Sequence, residues 1–285
     1  MSVEPYLFSA DASLVAAACD EHRPPEEQAP AVVVDWERLG KAERQVRAEE
    51  RIGTGTQIAA DTEEDLRRVR AAVRATVICR INQPGPWTRH EVERAVALGA
   101  DEVLVPMVRR PADVHAVLRA AAGRVGVGIQ IETVDAVHCA GRLGRLPVAR
   151  VYVGLMDLAL ERGTPSIFTA LVDGTVERVR GAVPAPFGFG GLTVPGAGRP
   201  LPTDLLLGEM TRLSCAFTFL RRSFIADVGQ GGIDAGTGLA AVRRAARAAG
   251  QRSSREVQHD RLALVAAVRG LDARRLVAHG DVRTS

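Results

Sequence analysis

The sequence predicts an α/β fold, a TIM (β/α)8 barrel with a C-terminal helical extension. Three observations carry this. Short apolar, β-branched runs alternate with longer stretches of helical spacing about eight times. The 285 residues suit one such barrel. Charged residues and glycines follow directly after the apolar runs, where a parallel barrel gathers its functional groups. The barrel is expected over residues 1–250 and a helical arm over 251–285.

Taken in order, Tyr6 to Phe8 reads as a first strand, and Asp11 as the cap of a short helix through Leu14 to Ala18. A polar loop from Glu21 to Pro30 precedes a buried strand, Ala31 to Asp35. Lys41 to Arg51 is helical and charged. Asp61-Thr62-Glu63-Glu64 opens a further helix towards Val73. The strand Thr76 to Ile81 leads to a helix from His90 to Leu98, stopped by Gly99. Glu102 to Pro106 is the fourth strand, and Pro111 opens the next helix. The later strands are Val125 to Ile131, Arg150 to Leu155, Phe187 to Val194 and Cys215 to Phe219. Helices are expected over Val134 to Leu143, Thr175 to Val183, Asp204 to Leu213 and Ala235 to Ala249. The tail carries the apolar run Leu262 to Val268 and is expected to pack on the barrel flank or on a second copy of the chain.

Composition narrows the function classes. The 37 basic and 34 acidic residues are interspersed, the net charge is +3, and only 4% of residues are aromatic. No basic block stands out, which argues against a nucleic-acid partner. No apolar run is long enough to span a bilayer, so no membrane role is expected. The cysteines Cys19, Cys79, Cys139 and Cys215 show no metal-binding spacing and read as free thiols of a cytoplasmic protein. The six histidines, His22, His90, His115, His138, His259 and His279, end no strand and read as surface or helix positions.

The chemistry lies at the strand ends. Glu132 and Asp157 each follow an apolar run, 25 residues apart, or about one strand–helix repeat. Two carboxylates on one rim suit a hard divalent cation, which takes one or two protein carboxylates and fills its shell with water or substrate. Arg80 lies in an apolar run and needs an anionic partner, either a substrate or site carboxylate or a purely structural ion pair. Asp35 and Glu37 alternate along one extended segment and point the same way, one of them suited to orient Arg80. Pro106-Met107, Gly190-Gly191-Leu192-Thr193 and Arg221-Arg222-Ser223 complete the rim. The glycines of Phe187 to Val194 allow close backbone approach but lack the Lys-Ser/Thr of a phosphate loop.

The blocks Val33 to Glu37, Arg80-Ile81-Asn82, Leu98 to Val108, Ile131-Glu132-Thr133 and Val153 to Ala159 together resemble the HpcH/HpaI aldolase and citrate lyase beta-subunit family, over roughly Tyr6 to Phe224. The resemblance implies an oligomeric TIM-barrel lyase that uses Mg²⁺ or Mn²⁺ on 2-oxo acids or acyl-CoA thioesters. Glu132 and Asp157 would be the metal ligands, and Arg80 would hold the substrate and steady an enolate. Pro106 and Met107, with Gly154 and Leu155, would line the pocket. The base is left among Asp35, Glu37 and a metal-bound water, because Arg38 stands where pyruvate aldolases of the family carry histidine. Arg109-Arg110 replaces a frequent glutamate, and Gly53 to Ile58 and Phe187 to Thr193 fit neither branch. The expected function is a divalent-metal-dependent carbon–carbon lyase acting on a small 2-oxo acid or related carboxylate. Alternatives are a citryl- or malyl-CoA-type lyase, with Arg109, Arg110, Arg221 and Arg222 as the basic surface, and a non-catalytic ligand-binding barrel.

Overall fold

The structure, a computed structural model, describes residues 3–52, 61–230 and 232–282. Eight strands close into a barrel in chain order: β1 (Glu4–Phe8), β2 (Ala31–Asp35), β3 (Thr76–Arg80), β4 (Glu102–Val105), β5 (Gly126–Ile131), β6 (Arg150–Val153), β7 (Phe187–Phe189) and β8 (Phe217–Leu220). Every neighbouring pair is parallel, including β1 with β8, so the barrel has no open edge. The TIM (β/α)8 reading therefore holds.

Strand alternation splits the core in two. Phe8, Val33, Ile78, Leu104, Tyr152, Phe217 and Phe219 form a compact cluster inside the barrel. The intervening residues, such as Val32, Val34, Val77 and Val105, join the larger core between strands and helices. Both faces of β2 are buried, which is why its sequence is continuously apolar. The N-terminal end of the barrel holds a buried ion pair, Arg150 Nε to Glu102 Oε1 at 2.6 Å. Arg150 also stacks over Tyr6 at 4.9 Å and Phe217 at 5.1 Å.

The local signals act as expected at several helix ends. Asp11 caps Ala12–Ala18 by accepting the Leu14 N–H at 2.8 Å. Thr62 and Asp65 form a reciprocal cap on Glu63–Ala72. Three readings need correction. The helix expected over Val134 to Leu143 is two, Val134–His138 and Ala140–Leu143, broken where the Cys139 thiol turns to the Arg109 carbonyl at 3.2 Å. The strand expected over Phe187 to Val194 stops at Phe189. The strand expected to reach Leu155 stops at Val153, and Gly154 caps a helix, Leu155–Arg162. The helix Arg222–Gln230 had no reading of its own.

The C-terminal helix, Ser254–Val282, lies along the barrel flank of its own chain. Leu264, Val268 and Leu271 are buried at helical spacing. Arg261 pairs with Glu209 at 2.9 Å, and the Thr169 hydroxyl donates to Asp272 at 2.8 Å. Cys79, Cys139 and Cys215 are buried free thiols, and Cys19 is half-buried. Among the described residues no helix is long and apolar enough to cross a membrane.

Gly188 marks the tightest contact between β7 and β8. A Cβ there would sit 2.2 Å from the Phe217 carbonyl oxygen, a backbone atom that cannot move aside. Gly188→Ala is expected to destabilise the barrel by about 1–3 kcal/mol or more, as overpacking does. Urea denaturation checks this, and an unchanged midpoint would show that β7 and β8 part at little cost.

Candidate active site at the barrel mouth

The C-terminal ends of β2, β3 and β5 deliver three charged or polar side chains into the same interior layer: Asp35, Arg80 and Gln130. Each is almost fully buried. Arg80 grips Asp35 with a two-pronged fork, Nε to Oδ1 at 2.8 Å and Nη2 to Oδ2 at 2.7 Å. Its third nitrogen, Nη1, meets Glu37 Oε2 at 3.0 Å and Gln130 Oε1 at 3.4 Å. Lys41 Nζ reaches the same Asp35 carboxylate at 2.6 Å. Burial alone would raise the proton affinity of Asp35, but the charges and hydrogen bonds of Arg80 and Lys41 outweigh it and hold the carboxyl at about 2.

The turn after β2 is pinned from β3. Asn82 Oδ1 accepts the N–H groups of Arg38 and Leu39, both at 2.8 Å. This aims Glu37 into the mouth and starts the helix Lys41–Ile52. One turn into that helix, Arg44 bridges Glu37 and Asp157, with Nε to Asp157 Oδ1 at 2.9 Å.

Glu132 follows β5. Its Oε1 accepts the Met107 N–H at 2.8 Å, and its Oε2 accepts from Gln130 Nε2 at 3.3 Å. Met107 adopts the left-handed region with φ of 53°, uncommon for a residue with a side chain, and this conformation holds its N–H on the carboxylate. Gly154 makes room on the other side, since a Cβ there would lie 1.9 Å from Glu132 Oε2. Burial, then the negative charges of Asp157 and Glu37, push the Glu132 carboxyl up to about 8. The Arg80 charge opposes this shift only in part.

Glu132, Gly154, Leu155 and Asp157 line a cavity of about 140 Å³ together with Gly190, Gly191, Arg221 and Arg222. The two expected metal ligands are thus brought together, although Asp157 sits in the first turn of the helix Leu155–Arg162 rather than at a strand end. Arg80 does not line this cavity, because Asp35, Glu37 and Gln130 surround it. Pro106 is buried, and Met107 opens instead onto a separate groove with Gln83 and Arg109. Arg38 turns to the Asp61 carbonyl at 3.1 Å. Gly190 gives space to the Tyr152 hydroxyl, which its Cβ would meet at 2.3 Å. His22, His90, His115, His138 and His259 are exposed. Gly53 to Ile58 and the side chain of His279 lie outside the described residues.

Sequence reasoning missed Lys41, Arg44 and Gln130. Gln130 carried a signal: an amide within the apolar run Val125 to Ile131, two residues before Glu132 and so on the same face. Lys41 carried another, as the single lysine beside 36 arginines. Arg44 carried none, being one of several charges on an amphipathic helix.

Eight parallel strands, with an acidic and arginine-rich mouth at their C-terminal ends, define an α/β barrel of the kind that hosts enzymes. Among solved structures, the chain is similar in fold to a citrate synthase, SbnG, at 16% identity and a TM-score of 0.56, over 81% of this chain and 91% of that one. It is also similar to RipC from Yersinia pestis, at 14% identity and 0.53, over 90% and 98%. Tryptophan synthase from M. tuberculosis matches at 14% and 0.54, over 85% and 93%. No family model and no curated protein matches the sequence.

The Asp35 carboxyl lies below its ordinary value of 3.8 in the folded chain. Its stabilisation is complete above that value and disappears as pH falls through about 2. Asp35→Asn leaves Arg80 and Lys41 buried with one partner fewer and is expected to cost about 3–5 kcal/mol at pH 7. The gap between the two proteins should narrow from pH 4 towards pH 2, by about 2 kcal/mol. Denaturant titrations at several pH values measure this, and a gap constant with pH would separate Asp35 from the charge network.

Proposed function

We propose that the protein is a divalent-metal-dependent carbon–carbon lyase of the aldolase type, acting on a small 2-oxo acid or related carboxylate. The observation that supports it most is the convergence of Glu132 and Asp157 on one cavity. Resemblance to the HpcH/HpaI aldolase and citrate lyase beta-subunit family adds to it, as does the shared fold with a citrate synthase.

The donor set fits Mg²⁺ or Mn²⁺. Among the described residues no group of three histidine, cysteine or carboxylate side chains is arranged to hold a metal ion, but Mg²⁺ needs only one or two protein carboxylates. Glu132 and Asp157 would hold it, sharing Asp157 with Arg44. Bound there, it would supply positive charge at the substrate carbonyl.

The chain's own residues do the rest. Met107 N–H and Gln130 fix the Glu132 carboxylate, so no reorganisation is needed when charge develops beside it. Arg80 is a positioning residue: it holds Asp35, Glu37 and Gln130 in register. In cleavage, the bond between the second and third carbons beyond the substrate carboxyl breaks, and its electron pair becomes the enolate of the 2-oxo acid. The hydroxyl proton of the departing carbon leaves to a base, and an aldehyde or ketone is released. Asp35 is too weak a base, with its carboxyl near 2, so Glu37 or a bound water takes that proton. The homo-oligomer implied by the family belongs to this reading. The acyl-CoA alternative loses half of its basic surface, since Arg109 pairs with Asp135 and Glu161, and Arg110 with Asp113.

Pyruvate incubated with the protein in D₂O tests the reading through methyl-proton exchange followed by NMR. Exchange is expected with Mg²⁺, is expected to vanish without it, and should fall by at least 100-fold in Asp157→Asn. Lack of exchange with metal bound would shift the assignment to thioester substrates, and lack of metal binding to a non-catalytic barrel. Full exchange in Asp157→Asn would remove that residue from the site.

A further inference from the structure

Arginine is abundant in this chain, so the informative question is which guanidinium groups lack a partner. Around the mouth, Arg44, Arg80 and Arg109 each pair with two carboxylates. Arg221 and Arg222 form no ion pair with any described residue. Both are half-buried, and both line the 140 Å³ cavity that Glu132 and Asp157 also line.

Their placement is built rather than incidental. Arg221 stacks over Phe8, 4.3 Å from the ring centroid, and Phe8 is a fixed part of the barrel interior. Arg222 opens the nine-residue helix Arg222–Gln230. The Thr193 hydroxyl, from the loop after β7, donates to Asp227 and ties that helix to the barrel. The first intrahelical bond is Ile225 N–H to the Arg221 carbonyl at 3.0 Å, so the amides of Arg222, Ser223 and Phe224 have no acceptor within the helix. Burial and the neighbouring Arg221 charge both disfavour the charged form of Arg222, with only Glu49 opposing them. Two adjacent cations and a helix start thus line the cavity without an ion pair to any described residue.

We infer that Arg221 and Arg222 bind a second acidic group of the substrate, a carboxylate or phosphate, so that the cavity takes a small dianion spanning from Glu132 and Asp157 to Arg221 and Arg222. A cavity of about 140 Å³ has the scale of a small organic diacid. Which residues carry the chemistry rests on the lyase reading above, but the anion site does not.

Isothermal titration calorimetry of the full chain tests it, with succinate, inorganic phosphate, acetate and adenosine 3′,5′-bisphosphate as probes. Succinate or phosphate should bind at least tenfold more tightly than acetate. That affinity should fall at least tenfold in Arg221→Gln and in Arg222→Gln, both with unchanged unfolding midpoints, and should persist in Asp157→Asn. Preference for succinate marks a second carboxylate, and preference for phosphate marks a phosphorylated substrate. Affinity for the dianions no better than for acetate, or unaffected by either arginine, would overturn the inference. So would tight binding of the bisphosphate alone, which would assign the pair to a nucleotide. Arginine-dependent succinate binding without pyruvate exchange would sink the lyase reading and leave the anion site standing.

Discussion

The Arg80–Asp35 fork is the constraint on which the mouth is built. Both groups are almost fully buried, and a guanidinium cannot shed its charge to escape the desolvation cost. Three partners must therefore stay within reach, and they come from three places: Asp35 on β2, Glu37 on the turn after it, and Gln130 on β5. Such a pair contributes little net stability compared with a well-packed apolar replacement. Its effect is geometric. Gln130 carries the constraint to Glu132, and Glu37 carries it through Arg44 to Asp157. A shift of Arg80 would release both walls of this chain of contacts at once.

The interior is polar at both ends and aromatic between. Glu102 and Arg150 neutralise each other at the N-terminal end, while Tyr152, Phe217 and Phe219 fill the middle, with Tyr152 and Phe219 rings 4.4 Å apart. That aromatic layer closes the floor beneath the mouth. Phe8 then serves two cations, lying under Arg80 at 4.9 Å and under Arg221 at 4.3 Å. The acidic network, through Arg80, and Arg221 are thus referenced to one ring.

The strands were legible because burial on both faces leaves an unmistakable apolar run, as in Ala31 to Asp35 and Thr76 to Arg80. Two of the misread elements lie at the rim of the barrel. Leu155 and Met156 are apolar enough to extend a strand, yet they turn into a helix because Gly154 must yield space to Glu132. The chain between Phe189 and Val194 is apolar for a similar reason, as it packs over the rim without pairing. In the site, residues set by strand position were legible, namely Asp35, Arg80, Glu132 and, through its block, Asp157. Lys41 and Arg44 were not, because they reach the mouth from a helix. Their role depends on how that helix is hung from Asn82, and spacing does not encode this.

Fold likeness at 14–16% identity leaves the chemistry to the side chains. Here the pairing of charges discriminates better than their number. An arginine that meets two carboxylates has its charge spent within the protein, as Arg44 and Arg109 do. One that faces a cavity without a partner holds its charge for something that comes and goes. Glu132 is held differently: burial, with Asp157 and Glu37 beside it, raises its affinity for a proton. The cavity is lined both by the Glu132 and Asp157 carboxyl groups and by two arginines that have no ion pair with any described residue. It will orient a ligand that carries an acid at one end and an electron-rich oxygen to be held with a cation at the other.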